Sequence, residues 1–572
     1  MTEWRASENT ARKGFPAQYP TPVQPISNRQ TPELESPVSY RKQRTELFLI
    51  AKFRLLLRSP LSAASNPSSP ESNARGRKET LRGSQLRAVM PRAETPLYPK
   101  WNATKLAVKI VLALSIPLSA TNASAACFGN SASSKSCAAL CAGKNRPALR
   151  GAISALSMGH GQMPGQETGH HMHAAMDSGP TAKLLMAEAS GTSLNPMSVE
   201  MSMRMKMAGS WSLMYMADGF ITETQQSGPR GADKFYSTNI FMGSAEHAAG
   251  RGSFLFDAMM SLEPATVSDR QYPLLFQTGE TAFGLPIEDG QHPHDLIMAL
   301  GVHYARPVGA NTVLEAYFAP VGDPALGPVA FPHRDSAAEI PQAPIGHHWE
   351  DSTHIADEVV TFGVKHKSLR LELSGFHGAE PNENRWNIDT GAIDSWAARF
   401  SLVPSSNWSA QVSVGRLTKP EALDPGDVVR TTASLAYSRP MDGGNWSTSF
   451  IFGRNHKTAT GKGTNALLLE SVIPFRAKNF FTGRWELVDK DELFAAQPAI
   501  QQQLAATVGT TFRIGEYTLG YTRYVRLWAP LDTGFGANFS AYTLPAAITS
   551  FYGDHPFGVN VYLHFRLRQK NL

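Results

Sequence analysis

The segment that most constrains the fold is 559–568, which reads V-N-V-Y-L-H-F-R-L-R. Its odd-numbered positions are apolar and its even-numbered positions are polar or charged. Successive side chains of a β-strand point to opposite faces, so this pattern predicts one apolar environment and one wet one. A soluble β-sandwich supplies both environments, and so does a barrel with lipid outside and water inside.

The same alternation recurs upstream. In 369–374, three leucines alternate with Arg370, Glu372 and Ser374. Segments 408–414, 446–452 and 481–487 repeat the pattern, and Ile451 is the exception, an apolar residue on a polar face. These segments predict a chain built mainly from amphipathic strands.

The connections between the segments alternate in length. Seven short ones carry turn residues and fall at 249–252, 307–311, 365–368, 404–407, 441–445, 474–479 and 513–516. Eight longer polar ones fall near 225–233, 265–294, 321–356, 379–391, 417–427, 457–463, 489–501 and 530–556. Eight long and seven short connections join about 16 strands, with all the short turns at one end.

This arrangement predicts an all-β fold, a transmembrane antiparallel β-barrel of about 16 strands preceded by a disordered N-terminal region. Sixteen strands would enclose a water-filled lumen rather than a packed core. Aromatic residues near strand ends would form belts at the membrane interfaces, namely Trp408, Tyr437, Trp446, Phe480 and Trp528. One or two soluble β-sandwiches are the alternative, but arginine and glutamate recur on the polar faces where a sandwich needs an apolar core.

From about residue 211 onward the chain resembles bacterial outer-membrane porins, in its architecture and in a last strand that carries an aromatic, Phe565. The porins usually end on that aromatic, whereas here 566–572 follow it. The resemblance implies a non-enzymatic channel in the outer membrane of a Gram-negative bacterium. Its partners would be membrane lipid and small solutes or metal ions, as a homotrimer or a monomer.

The N-terminal third divides into three segments. Residues 1–104 are rich in Arg, Ser and Pro and are predicted to be a disordered or mis-started leader. Residues 105–125 form a signal peptide: lysines precede the apolar 110–120, and Ala123-Ser124-Ala125 is the cleavage site. Acylation of Cys127 is the lipoprotein alternative. Residues 126–200 are predicted to be a flexible periplasmic segment containing Met and His, and 201–572 the barrel.

Charge and cysteine content agree with export. The net charge is +6, but residues 1–109 hold 19 Lys/Arg against 8 Asp/Glu, so the remainder carries −5 and gives no footprint for nucleic acid. The three cysteines lie together at 127, 137 and 141. They form a disulfide, remain free thiols or bind metal; the sequence leaves these alternatives open.

A cluster of methionine and histidine precedes the barrel. Thioether and imidazole together suit copper ions, and the predicted ligands are Met158, His160, Met163, His170, His171, Met172, His173 and Met176. This segment resembles the Met/His-rich N-terminal region of the copper-resistance B outer-membrane proteins, which implies copper binding. A solvated linker is the alternative. No cofactor is required.

A second methionine series occupies alternate positions, Met201, Met203, Met205 and Met207. It resembles a ladder of copper ligands. However, these residues share odd parity with Trp211, Leu213 and Tyr215. We therefore predict that they form the apolar face leading into the first strand.

The loops hold a third candidate site, in the second and third long connections. Its predicted metal ligands are His292, His294, Asp295, His347, His348 and His354. Loops of this length can fold inward and narrow the pore. The alternatives are a hydrogen-bonded network that shapes the constriction, and a metal-dependent hydrolase with Glu350 or Asp351 as base.

The sequence thus favours an outer-membrane porin-like channel linked to copper or other metal handling. A hydrolase that uses the His-rich loops, and a structural or adhesive barrel without transport, remain the alternatives. The permeating solute is not encoded in any motif that we recognise.

Overall fold

The computed structural model describes residues 180–199, 201–422 and 426–568. The predicted leader, signal peptide, cysteines and Met158–Met176 cluster lie outside them. The strands, in chain order, are β1 (Met203–Ala208), β2 (Trp211–Gln226), β3 (Asp233–Ala249), β4 (Gly252–Met260), β5 (Tyr272–Ala282), β6 (Leu285–Gln291), β7 (Ile297–Pro307), β8 (Thr312–Gly322), β9 (Ala356–His366), β10 (Leu369–His377), β11 (Ser395–Ser405), β12 (Trp408–Leu417), β13 (Val428–Met441), β14 (Gly444–Lys457), β15 (Lys462–Phe475), β16 (Asn479–Lys490), β17 (Phe512–Trp528), β18 (Leu531–Thr543) and β19 (Phe557–Leu567).

The helices are short and belong to the connections. They are α1 (Pro180–Ala187), α2 (Glu263–Thr266), α3 (His347–Glu350), α4 (Pro498–Thr507) and α5 (Thr549–Tyr552), with single 3-10 turns at Ser268–Arg270, Phe331–His333, Asp335–Ala337, Ser352–His354 and Ala546–Ile548. None of the helices in the described ranges combines the length and apolarity that a bilayer crossing requires.

Sixteen strands close into an antiparallel β-barrel, which confirms the predicted fold class. Consecutive strands pair all round the wall, and β19 pairs with β2 to close the ring. Strands β5 and β6 stand apart as a hairpin within one connection. The short β1 pairs with the first residues of β2, beyond the point where β19 ends.

The predicted connections are confirmed except near the C-terminus. The first six short turns lie where expected, for example at 442–443, where Gly443 adopts the positive φ of 92° that a two-residue turn requires. The turn predicted at 513–516 is wrong, because these residues lie inside β17. The seventh short turn is 529–530, and 531–543, predicted as loop, is β18. The predicted number of strands is still correct, because β18 makes up for a strand that we predicted partly where α4 lies.

The outer face of the barrel is apolar, as the alternation predicts. In β10 the three leucines 369, 371 and 373 are exposed, while Arg370, Glu372 and Ser374 face inward and are buried. Trp408, Tyr437 and Trp446 contact one another in sequence at the short-turn end, in tilted and edge-to-face pairs with ring centroids 4.7 and 5.5 Å apart. Phe480 is not part of such a belt: it is buried beside Tyr524 inside the barrel.

The inside of the barrel is not the water-filled lumen that we predicted. Three segments enter it, and we call them together the plug: 180–199 (the N-terminal arm), 261–296 (loop A) and 323–355 (loop B). Residues 180–199 were expected to belong to a flexible segment, but they pack inside the wall because their polar groups find buried partners there. Arg370 donates to the Thr192 carbonyl at 2.5 Å, and Ser190 donates to Asp323 of loop B at 2.8 Å.

Inner-wall arginines hold loop B through its backbone. Arg399, Arg430 and Arg484 donate to the carbonyls of Gly327, His348 and Gln342 at 3.3, 2.6 and 3.1 Å. Glu372 accepts from Arg399 and Glu470 from Arg484. A hydrogen bond from a charged donor contributes about 1.5–3 kcal/mol, so these contacts dock the loop against the wall.

The plug also has an apolar core. In loop A, Leu274, Leu275 and Phe276 pack with Ile345 and Trp349 of loop B. This cluster includes wall residues from β16, β17 and β3, namely Val488, Ile514 and Tyr236. Contact with the plug also explains the apolar exception in the alternation. Ile451 points inward and lines a cavity with Leu194 and Val329 of the plug.

Replacing Gly453 with Ala tests the docking of loop B. A Cβ at Gly453 would lie 2.4 Å from the Trp349 carbonyl oxygen, so the loop must shift. Overpacking of this kind costs about 1–3 kcal/mol. We expect G453A to be cleaved several-fold faster within 323–355 by a broad-specificity protease. The matched control is G483A on the outer face, where the nearest atom is an ordinary 3.6 Å away; equal cleavage of the two variants would contradict the packing described.

Candidate functional site

Five of the predicted ligands converge inside the plug. The rings of His292 and His294 come from loop A, and those of His347, His348 and His354 from loop B. Neighbouring ring centroids are 5.3–6.4 Å apart, from His294–His354 at one end through His347 to His292 and His348 at the other. Phe331 packs against three of them. The sequence-based placement of these histidines in adjacent loops is therefore correct.

Most of the imidazoles are held by partners of their own. His294 Nδ1 lies 2.9 Å from Glu263 Oε1, and the other Glu263 oxygen accepts from the His294 backbone amide. His354 Nδ1 lies 2.8 Å from the Asp351 carbonyl oxygen, while its Nε2 is buried without a hydrogen-bond partner. His292 Nε2 lies 2.8 Å from Glu280 Oε1. These contacts fix the rings in position.

Asp351 organises the centre of loop B. One carboxylate oxygen lies 2.7 Å from His347 Nδ1, and the other accepts from Arg334 and from the Phe331 amide, both at 2.8 Å. Burial opposes ionisation here, but Arg334 and His347 hold the pKa of Asp351 well below its ordinary value. Three partners within loop B thus occupy the carboxylate, and this structural engagement disfavours the predicted role of Asp351 as general base.

Asp295 does not join the histidines. It pairs with Arg385 of the connection 378–394 at 3.2 Å. Burial, together with Asp389 and Asp357, raises the pKa of Asp295 well above the ordinary value. The three predicted ligands of loop A therefore separate: His292 and His294 enter the cluster, while the Asp295 carboxylate faces a neighbouring loop.

The arrangement best suited to a metal ion is one histidine with two glutamates that the sequence did not single out. His348 Nδ1 lies 3.3 Å from Glu380 and 3.7 Å from Glu421, and one ligand atom from each of the three lies within 4.8 Å of the others. Neither ring nitrogen of His348 has a hydrogen-bond partner, nor has Glu380 Oε2. Gly279, at φ 114°, makes room for the ring: a Cβ there would lie 2.6 Å from it.

The two glutamates of this site differ electrostatically. Burial opposes the charge on Glu380, but His348 and Arg430 lower its pKa to about 2. Burial and the neighbouring Glu380 charge raise the pKa of Glu421 to about 8. The site thus holds one fixed negative charge and one carboxyl that keeps its proton near neutrality. A divalent cation would supply the positive charge that Glu380 and Glu421 lack between them.

Sequence reasoning missed the carboxylates because none of them adjoins its histidine in the sequence. Glu263 and Glu280 belong to loop A but lie well before their partners His294 and His292, and Glu380 and Glu421 belong to two further connections. No short motif marks them. Topology alone could have indicated these carboxylates, since connections on the same side of neighbouring strands must lie side by side.

The methionine series was assigned to the wrong face. A hairpin joins β1 to β2, so Met203 lies opposite Met216 and Met205 opposite Met214. Opposed residues of paired strands share a face, and Met214 is buried inside the barrel whereas Tyr215 is exposed. Met203 and Met205 therefore face the lumen with α1, not the surface with Trp211.

Comparisons with known proteins return structures but no sequence relatives. No protein-family model matches the chain, and no curated protein matches it in sequence. Among solved structures, it is similar to Salmonella typhi OmpF in complex with daunomycin, at 8% identity and a TM-score of 0.40 over 64% of this chain and 100% of that one. It is also similar to an anion-selective porin from Comamonas acidovorans (12%, 0.37, 63% and 99%) and to Pseudomonas putida OprB (10%, 0.39, 63% and 94%).

Glu350 adds a pH-sensitive group beside the site. It is buried, and neither carboxylate oxygen has a hydrogen-bond partner. Burial, with Glu486 and Asp351 nearby, raises the pKa of Glu350 well above the ordinary value. The docked loop therefore keeps the proton that the undocked loop loses above about pH 4.5. Docking weakens as pH rises, by up to about 1.4 kcal/mol per pH unit, until the docked pKa is reached.

The variant E350Q removes this dependence because glutamine keeps the shape and takes no charge. We expect the protection of 345–354 against hydrogen exchange to equal that of the wild type near pH 4.5 and to exceed it at pH 8. Mass spectrometry at each pH measures the ratio between variant and wild type. The exposed Asp554→Asn serves as control, and a ratio that stays constant with pH would contradict the assignment.

Proposed function

We propose that this protein is an outer-membrane porin-like barrel that passes small solutes or ions and is closed by its own plug. The single observation that carries the proposal is the closed ring of 16 strands with an apolar outer face and a charged inner face. An apolar exterior with no sheet edge suits lipid. Sixteen strands are wide enough for an aqueous channel once the lumen is clear.

The way loop B is attached supports a closable channel rather than a solid structural barrel. Both ends of the loop join the wall at the same mouth, after β8 and before β9. Much of its hold on the wall is polar: Arg399, Arg430 and Arg484 donate to backbone carbonyls of the loop, and side chains of the loop add contacts such as Arg334–Glu470 and Trp349–Thr464. Water can replace such bonds, so the loop can leave while the wall stays intact.

Excising the loop tests this proposal. Residues 324–354 are replaced by a short Gly/Ser linker, and single-protein conductance is measured in a planar bilayer. We expect a several-fold larger conductance than that of the wild type, because the lumen loses its main obstruction. The same linker inserted at 458–461 is the control. A variant that conducts no more than the wild type would leave the structural or adhesive alternative in its place.

Metal handling is the second candidate function, and the site of His348, Glu380 and Glu421 favours it. One imidazole and two carboxylates suit a borderline divalent ion such as Zn²⁺. We also propose that the methionine and histidine cluster at 158–176 binds copper ions, on the basis of its ligand types alone. Lipid and the transported ion or solute are the proposed partners.

Binding of Zn²⁺ to the full-length protein tests the second candidate. With the histidines and methionines of 158–176 replaced by Gln and Leu, we expect E380Q and E421Q each to weaken Zn²⁺ affinity at least about tenfold in calorimetry. The reason is that a three-ligand site loses one charged ligand. Glu383→Gln, in the same connection but paired with Arg270, should leave the affinity unchanged. Equal affinity in all variants would remove this site from consideration.

A further inference from the structure

A row of methionines crosses four neighbouring strands on the inner wall. Met203 of β1 lies directly opposite Met216 of β2, Met216 opposite Met242 of β3, and Met242 opposite Met259 of β4. Directly opposed residues share a face, and their Cβ atoms lie about 4.5–5.5 Å apart. Four thioethers therefore follow one line around the wall, and we call these four residues the methionine row.

The row faces the lumen. Met259 is buried, whereas the next residue, Met260, is exposed on the outside. Met216 and Met242 pack with Met259 and with the fully buried Met298 of β7 in one cluster. The pair Met205–Met214 lies one step nearer the short-turn mouth, beside α1.

An imidazole from loop B stands at the end of the row. His333 Nε2 lies 2.9 Å from the Met259 sulfur. The carbonyl oxygen of His333 accepts from Asn195 of the N-terminal arm at 3.2 Å, so two parts of the plug meet at this point. This hydrogen bond holds the sulfur and the ring nitrogen side by side, and the two atoms would move apart to ligate one ion between them.

The type of side chain distinguishes the methionine row from ordinary packing. Where the inner wall carries other side chains that reach the plug, they are often charged, as are Arg399 and Glu372. Leucine or isoleucine would fill the space as well as methionine does. Thioether sulfur is a soft ligand, and together with imidazole it selects Cu⁺ or Ag⁺ over Zn²⁺ and the hard cations.

We propose that the methionine row and His333 bind a soft monovalent cation, Cu⁺ or Ag⁺, inside the barrel. This rests on the proposed function in that the ion must enter the lumen. Met205 and Met214 lie between the short-turn mouth and the row, and Met259 with His333 forms the end of the row at β4. The ion moves by exchange of one thioether for the next, with no change in its oxidation state.

The test uses Ag⁺ as a redox-stable probe of the full-length protein in detergent. The cysteines are alkylated, and the histidines and methionines of 158–176 are replaced by Gln and Leu, so that neither group contributes. Bound silver is measured by elemental analysis after equilibrium dialysis. We expect at least one Ag⁺ per barrel, with an affinity at least about tenfold weaker in M242L/M259L and in H333Q.

Leucine is the appropriate substitute because exchanging Met for Leu keeps volume and costs less than about 1.5 kcal/mol. Folding of each variant is checked by circular dichroism. The matched control is M260L/M441L, whose methionines are exposed on the outside; it should bind Ag⁺ as its parent does. Zn²⁺ affinity should not change in M242L/M259L, which separates the row from the site at His348.

Three results would overturn the proposal. These are a parent that binds no Ag⁺, a double variant that binds it as the parent does, and a control variant that weakens equally. Conductance plays no part in the measurement. A barrel that never conducts therefore fails as a channel while the binding result still stands or falls by itself.

Discussion

The interaction on which the rest of the structure depends is the donation of hydrogen bonds from buried wall arginines to the backbone of the plug. Arg399, Arg430 and Arg484 would be uncompensated charges inside a barrel if water did not reach them. Glu372 and Glu470 balance two of these charges, and the loop carbonyls take up donors that the carboxylates leave over. Side chains of loop B add to this docking, since Arg334 pairs with Glu470 and Trp349 donates to Thr464.

This docking also places the histidine cluster. Because other residues of loop B hold the wall, His347, His348 and His354 lie towards loop A and the neighbouring connections. Asp351 and Arg334 order the centre, and the glutamates of three connections reach the rings from the sides. The cluster is a product of the barrel's closure, which brings four distant stretches of chain to one mouth. The methionine row arises differently, from strand register alone.

Sequence alone predicted the wall well and the interior poorly, for physical reasons. Each strand residue faces either the outside or the inside, so alternation shows in a few residues, as in 369–374 and 559–567. The error at 513–516 arose because a Gly-containing stretch inside a long strand looks like a turn, whereas β18 lacks strong alternation. The plug depends on pairings such as Ser190–Asp323 and Arg370–Thr192, which no local pattern records. Ile451 was the one sign of the plug in the sequence, because it is an apolar residue at a position where the alternation predicts a polar one.

The seam between β19 and β2 joins residues about as far apart in sequence as the barrel allows; a contact beside it, from the Phe557 amide to Ser227, spans 330 positions. The N-terminal arm precedes β2, and both loops precede β10, so every part of the plug is synthesised before the strand that closes the ring. When β19 pairs with β2, the ring closes around the N-terminal arm. Bringing together residues this far apart carries a loop-closure entropy that slows the last strand pairing, which leaves time for the plug segments to find their inner-wall partners.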